Sequence, residues 1–157
     1  MVTSTPPSAG RLSDLAPLVL RVVLGALMLA HGYQKVMSGP ARFGELLAGL
    51  GVPVPTVMGY VVTYTELVGG ALLVIGLLSR LAALALTVDL VVAIALVKVN
   101  VGLIAGRGMG AGAELDLAYI AGFLAILLGG PGRFSLDRLI GIDRPPRGAV
   151  GAMSSAW

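Results

Sequence analysis

Hydrophobic residues along this chain gather into four blocks, each comparable to the roughly 20 residues a helix needs to cross the hydrocarbon of a bilayer. Residues 15–36 form the first, interrupted by Arg21, His31, Gln34 and Lys35. Residues 56–78 and 81–101 form the second and third, with Ser79-Arg80 between them. So short a turn makes the two helices antiparallel neighbours. Residues 113–128 form the fourth, which stops at Gly129-Gly130-Pro131, where a proline just past the helix end prevents continuation. The connection at residues 37–55 is rich in Gly and Pro and includes a short amphipathic stretch at 41–50 suited to the membrane interface. A glycine-rich outer loop is expected at 102–112. The predicted fold is all-α, an integral membrane four-helix bundle at residues 13–137. Residues 1–12 are expected to be a disordered arm and residues 138–157 a flexible tail.

Composition supports lipid as the surrounding medium. The chain is 57% hydrophobic and 12% charged, with a mean hydropathy of +0.95; a soluble domain is about 25% charged. The formal net charge of +3 comes from basic residues scattered beside apolar blocks, which argues against a nucleic-acid partner. Topology accounts for them better. Arg11, Arg21, Arg80, Arg133, Arg138, Arg144 and Arg147 fall on the side that holds both termini, against Lys35, Arg42, Lys98 and Arg107 on the other. Cytoplasmic ends carry the excess of cations, so both termini are expected in the cytoplasm.

The absence of cysteine excludes disulfides, thiolate nucleophiles and iron–sulfur ligation within the chain. His31 is the single histidine, so no His pair can hold a haem between two helices. No metal site or covalently bound cofactor is expected, no catalytic residue stands out, and any redox role needs a diffusible or partner-borne cofactor.

Charge inside lipid costs about 2.5–3.5 kcal/mol at the bilayer centre on insertion scales, so Arg21, Glu66, Asp89 and Lys98 each need a partner or a purpose. At about 100° per residue, Arg21, Gly25, Met28, Gly32 and Lys35 share one face of the first helix. Gly59, Thr63, Glu66 and Gly70 share one face of the second, and Asp89, Ala93, Leu96 and Asn100 one face of the third. Glu114, Ala118, Gly122, Ala125 and Gly129 do so on the fourth. Small residues permit close helix approach in lipid, and the polar residues on the same stripes would then meet inside the bundle. The expectation is an interior cluster in which Glu66 and Asp89 face Arg21 and Lys35. Such a cluster is either a set of ion pairs that holds packing register or a polar pocket suited to the headgroup of a lipid-soluble molecule or to moving protons. Lys98, on the opposite side of its helix, is expected to snorkel outward. His31, near Lys35 on the first helix, could hydrogen-bond a quinone carbonyl or cap a backbone group. Tyr33, Tyr60, Tyr64 and Tyr119 read mostly as an aromatic belt.

Five segments in order, Leu20-Arg21-Val22-Val23-Leu24-Gly25, His31-Gly32-Tyr33-Gln34-Lys35, Glu66-Leu67-Val68-Gly69-Gly70, Gly76-Leu77-Leu78-Ser79-Arg80 and Gly130-Pro131-Gly132-Arg133-Phe134-Ser135-Leu136-Asp137, resemble the DoxX family. The resemblance extends over most of residues 15–137 and rests on order and spacing. It implies a multi-pass protein of the bacterial plasma membrane associated with quinone chemistry or oxidative stress. It also implies partners in a membrane redox complex and no fixed reaction of the chain alone. It singles out Arg21, His31, Gly32, Lys35, Glu66, Gly69, Gly70 and Arg80, with Gly25 beside them as a packing position.

The leading expectation is therefore a membrane subunit that binds a quinone or similar redox compound through Arg21, His31, Lys35, Glu66 and Asp89. A non-catalytic scaffold or assembly factor is the alternative, and a carrier of small apolar compounds a third reading. Small-residue stripes on every helix would also permit a homo-oligomer.

Overall fold

A computed structural model describes residues 9–104 and 111–143. Among these the chain is all helix and turn, in the order α1 (Ala9–Ser38), α2 (Pro40–Gly49), α3 (Pro55–Ile75), α4 (Ser79–Leu96), a 3-10 turn (Lys98–Asn100), α5 (Ala113–Gly129) and α6 (Leu136–Leu139). Three helical segments are long and apolar enough to cross a membrane, Leu15–Ser38, Pro55–Ile75 and Ser79–Leu96. Helix α5 has 17 residues and is a fourth candidate.

The helix boundaries follow local chemistry. Helix α1 begins at Ala9, inside the segment expected to be disordered, and carries Pro17 within it. Helix α2 corresponds to the amphipathic stretch read at 41–50 and has Pro40 in its first turn, where no intrahelical N–H is lost. Helix α3 ends at Gly76, whose φ of 73° is left-handed. The Gly76 N–H donates to Leu72 at 2.9 Å and the Leu77 N–H to the same carbonyl at 3.0 Å, a Schellman closure. The turn thus lies at residues 76–78 and not at Ser79-Arg80, which open α4, because glycine reaches that backbone region at least cost. The third apolar block also ends earlier than its hydropathy suggests: α4 stops at Leu96 and the chain tightens into the 3-10 turn.

Helices α1 and α3 run antiparallel in close contact. A methyl group added at Gly25 would meet the Gly70 carbonyl oxygen at 2.8 Å, one at Gly32 would strike the Leu67 backbone, and one at Gly70 the Leu29 backbone. The stripes read on these two helices do face each other, and their glycines are occupied within one chain. Helix α2 docks on the start of α3 in the same manner, with Gly59 so near that an added methyl would lie 2.7 Å from the Gly44 nitrogen.

Helices α4 and α5 depart from the expected faces. The buried side of α4 is Ser79, Ala82, Ala83, Leu86 and Leu90, while Asp89 and Ala93 are half-buried at its margin. On α5 the interior belongs to Tyr119, Phe123 and Ile126; Glu114, Ala118, Ala125 and Gly129 are exposed and Gly122 is half-buried. That face is turned by about one residue, or 100°, from the small-residue stripe. Bulky side chains win here because they fill the core with Met28, Leu73, Ala82, Ala83, Leu86 and Leu90. The outside is apolar as well: Val19, Val23, Val61, Val68, Val88, Val91 and Leu128 are exposed, a surface matched to acyl chains.

The GPGRFSLD segment after α5 returns to the turn between α3 and α4. Asp137 accepts hydrogen bonds from the Leu78 N–H at 2.6 Å and the Ser79 N–H at 2.8 Å, and its own N–H donates to Gly76 at 2.9 Å. The carboxylate satisfies donors at the α4 N-terminus that have no intrahelical partner. It also holds Leu78 at φ 49°, a strained conformation for a residue with a side chain. Residues 138–143, expected in a flexible tail, complete α6 and carry Asp143 to within 3.4 Å of Arg80. The remaining parts of the expected arm, outer loop and tail, residues 1–8, 105–110 and 144–157, lie outside the described residues.

Candidate functional site

A cavity of about 230 Å³ lies among α1, α3, α4 and α5, toward the end of the bundle that carries the 3-10 turn. Helix α1 contributes Met28, His31 and Lys35 to its wall, three positions at helical spacing. Glu66 enters from α3, and Leu90 and Ala93 from α4. Lys98 follows in the 3-10 turn, and α5 supplies Leu115, Asp116 and Tyr119.

One side of the wall is an ion pair. Lys35 Nζ donates to Glu66 Oε1 and lies 4.9 Å from the centroid of the Phe43 ring on α2. The residue Glu66 is only 5% exposed, and its Oε2 has no hydrogen-bond partner among the described residues. The other side repeats the charge pattern. Lys98 donates to the Ala111 carbonyl, while Asp116, which interacts electrostatically with Lys98 and His31, has a buried Oδ2 with no partner among the described residues. The His31 ring stands edge-on to Tyr119, centroids 6.5 Å apart, and Tyr119 stacks on Phe123 at 6.1 Å. The wall therefore holds two ammonium groups, two carboxylates, an imidazole and a phenol around an otherwise apolar space.

Of the five residues expected to converge, the structure brings His31, Lys35 and Glu66 to this cavity. Asp89 does not line it; half-buried on α4, it interacts electrostatically with Glu66 and Lys35. Arg21 is elsewhere. It is 2% exposed, and its Nη2 donates to the Phe134 carbonyl beside Gly76, Ser135 and Asp137 at the opposite end of the bundle. The physical reason is axial. Arg21 and Lys35 share a helix face but are separated by 14 residues, about 21 Å of rise, too far for one acidic group to serve both. Gly76 leaves the space that the guanidinium fills, since a methyl there would overlap Arg21 Nη1. Arg80 also works at that end, donating to the Leu127 carbonyl at the close of α5. Gly69 packs against Leu86, its added methyl 3.1 Å from Leu86 Cγ. Gly25, Gly32, Gly69, Gly70 and Arg80 are thus seated in helix contacts away from the cavity wall.

Two wall residues differ from expectation, and a third, Asp116, is not among the residues expected there. Lys98 turns into the cavity wall because the chain leaves α-helical geometry before it. Tyr119 is 5% exposed and belongs to the core, whereas Tyr33, Tyr60 and Tyr64 are exposed as belt residues would be. Asp116 was legible in principle: it is a carboxylate inside the fourth apolar block, one helical turn before Tyr119. Among the described residues no cluster of three His or acidic side chains could hold a metal ion.

The sequence pattern of the DoxX family matches residues 16–99, which include His31, Lys35, Glu66, Asp89 and Lys98 but not Asp116 or Tyr119. An uncharacterised membrane protein of Mycobacterium tuberculosis is 36% identical over 130 residues, covering 76% of this chain and 77% of the relative. An uncharacterised Haemophilus influenzae protein is 32% identical over 123 residues, covering 75% and 85% respectively. A Bacillus subtilis protein, CatD, whose name carries a provisional assignment as an oxidoreductase, is 28% identical over 129 residues, covering 81% and 88%. No solved structure matches the chain.

Proposed function

The chain belongs to the DoxX family, and from that premise we propose that it is a multi-pass subunit of the bacterial plasma membrane that binds the headgroup of a quinone-type compound between His31, Lys35, Glu66 and Asp116. A partner protein carries the redox centre, since the chain offers neither a thiolate nor a pair of haem ligands. The single observation that carries this reading is a cavity among apolar helices whose wall carries two ammonium groups, two carboxylates and an imidazole, with one buried oxygen of each carboxylate unpaired among the described residues. Helices in lipid hold such groups where they serve a function or complete a network.

Size favours a headgroup. Drug-sized pockets run from about 300 to 1,000 Å³, and a cavity of about 230 Å³ suits one substituted ring, with any isoprenoid tail left among the acyl chains. The residues present fit such a group: ammonium N–H groups and His31 can donate to the ring oxygens, and Glu66 holds the Lys35 ammonium in the wall. When bound, the quinone supplies the electron-accepting chemistry; the chain binds it, orients it and excludes lipid.

Lipid extraction from the purified protein tests this. We expect Lys35→Ala to reduce co-purifying quinone about tenfold, as loss of a charged hydrogen bond worth roughly 1.5–3 kcal/mol implies, and Glu66→Gln to reduce it as well by releasing Lys35 from its place in the wall. Unchanged quinone in both variants overturns the site. The Lys35–Glu66 pair also favours a second reading, in which the cluster only holds the helices in register. On that reading Glu66→Gln lowers the melting temperature in detergent and leaves the bound lipids as they were.

A further inference from the structure

The end of the bundle that carries α6 has a surface that neither the cavity nor the packing between helices uses. On the strap that follows α5, Phe134, Leu136, Leu139, Ile140 and Ile142 are exposed, Leu139 to 83%, and Arg133 and Arg138 are exposed among them. The acids of the strap are occupied: both Asp137 oxygens accept N–H groups at the start of α4, and Asp143 faces Arg80. So many large apolar side chains on one short exposed segment mark an interaction surface.

Level along the bundle indicates what meets that surface. Asp137 bonds to the first residues of α4, and the Phe134 carbonyl to Arg21, which lies six residues beyond Leu15 at the head of the first span. Val19, Leu81 and Leu128, near the same level, are exposed as lipid-facing residues. With α1 and α4 crossing the bilayer, the strap lies at the hydrocarbon boundary, where its apolar side chains reach acyl chains and its arginines extend to headgroups. Charge then selects among lipids. The seven basic residues on the side of both termini share it with three acids, Asp14, Asp137 and Asp143, whereas the four toward the other end are outnumbered by Glu45, Glu66, Asp89, Glu114 and Asp116. The positive charge of the chain is therefore concentrated at the α6 end. A basic segment at the interface is attracted to an anionic leaflet, and a guanidinium matches the geometry of phosphate.

We propose that residues 133–142 form a docking surface for anionic phospholipid of the leaflet at the α6 end, with Phe134, Leu139 and Ile142 among the acyl chains and Arg133 and Arg138 on the lipid phosphates. This surface lies outside the segment matched by the family pattern and is independent of whatever the cavity binds.

Quenching by brominated lipid tests the proposal. Trp157 is the single native tryptophan, so Trp157→Phe combined with Leu139→Trp places one reporter on the surface. The full chain is reconstituted in vesicles of phosphatidylcholine with phosphatidylglycerol as the minor component, and the same amount of brominated acyl chain is carried by one lipid or the other. We expect brominated phosphatidylglycerol to quench at least about twofold more strongly than brominated phosphatidylcholine, and high salt to reduce the difference. Arg133→Gln with Arg138→Gln should abolish the preference, and Arg42→Gln, exposed on α2 at the other end, should leave it unchanged. Equal quenching by the two lipids, or a preference that survives the paired arginine variant, overturns selection of anionic lipid by this surface. Absence of quenching by either lipid overturns the proposal in favour of a protein partner. The unsubstituted chain in detergent supplies a second measure: added phosphatidylglycerol should raise its melting temperature more than phosphatidylcholine does, and an equal rise overturns the proposal.

Discussion

Gly76 and Gly49 show how differently one residue type is used in this chain. Gly76 has a φ of 73°, and an added methyl would overlap Arg21 and approach Ser135 Cβ at 2.8 Å. Gly49 has nothing within 4 Å of that position. Alanine at 76 must therefore adopt a left-handed backbone and also displace a buried guanidinium, with an expected loss of about 2 kcal/mol or more. Alanine at 49, at the last turn of α2, should change stability by no more than about 1 kcal/mol. Thermal unfolding in detergent, followed by circular dichroism, should separate the two variants; equal melting temperatures would contradict the packing described around Arg21. The sequence marks both positions only as glycine, and what distinguishes them is a side chain 55 residues from Gly76.

Individual helices were legible to different degrees, for a common reason. On α1 and α3 the smallest residues lie on the buried face, because two backbones come together there and only glycine permits it. Helix α5 meets its neighbours through Tyr119, Phe123 and Ile126, so its small residues point away and the same rule misleads. The start of α4 depends on a distant segment. Its capping group is Asp137, which lies 58 residues from Ser79. Asp137→Ala should cost about 1–2 kcal/mol, the range for loss of a helix cap, and should expose the Leu78 and Ser79 amides. Hydrogen exchange at those two amides, with the melting temperature, checks the expectation; protection equal to that of the unsubstituted chain would show that the strap does not cap α4.

Across the whole molecule, α5 runs the length of α4 in the opposite sense: Arg80 at the start of α4 reaches the Leu127 carbonyl, and Lys98 beyond its end reaches Ala111. If α3, α4 and α5 all cross the bilayer, α2 and α6 lie on opposite sides of it. The lack of native cysteine makes this directly testable. Cysteine introduced at Glu45, on exposed α2, should react with an impermeant maleimide in intact cells, and cysteine at exposed Arg138 only after permeabilisation. Labelling of both from the same side would remove α5 from the set of crossing helices; the reverse pattern would invert the expected orientation.

Hydropathy and the positions of Gly and Pro determined by themselves that the protein is all-α, that it belongs in lipid, where its apolar blocks lie and which faces of α1 and α3 meet. These are local properties, because lipid forces each crossing segment to satisfy its own backbone hydrogen bonds. The pairing of Lys35 with Glu66 was also within reach, since both lie on those faces. The tertiary structure alone decided that Arg21 serves the opposite end of the bundle, that Lys98 and Tyr119 help to line the cavity, and that Asp89 does not. Those assignments depend on how far each helix is rotated about its axis and slid along its neighbour, and both are set by the fit of bulky side chains from several helices at once.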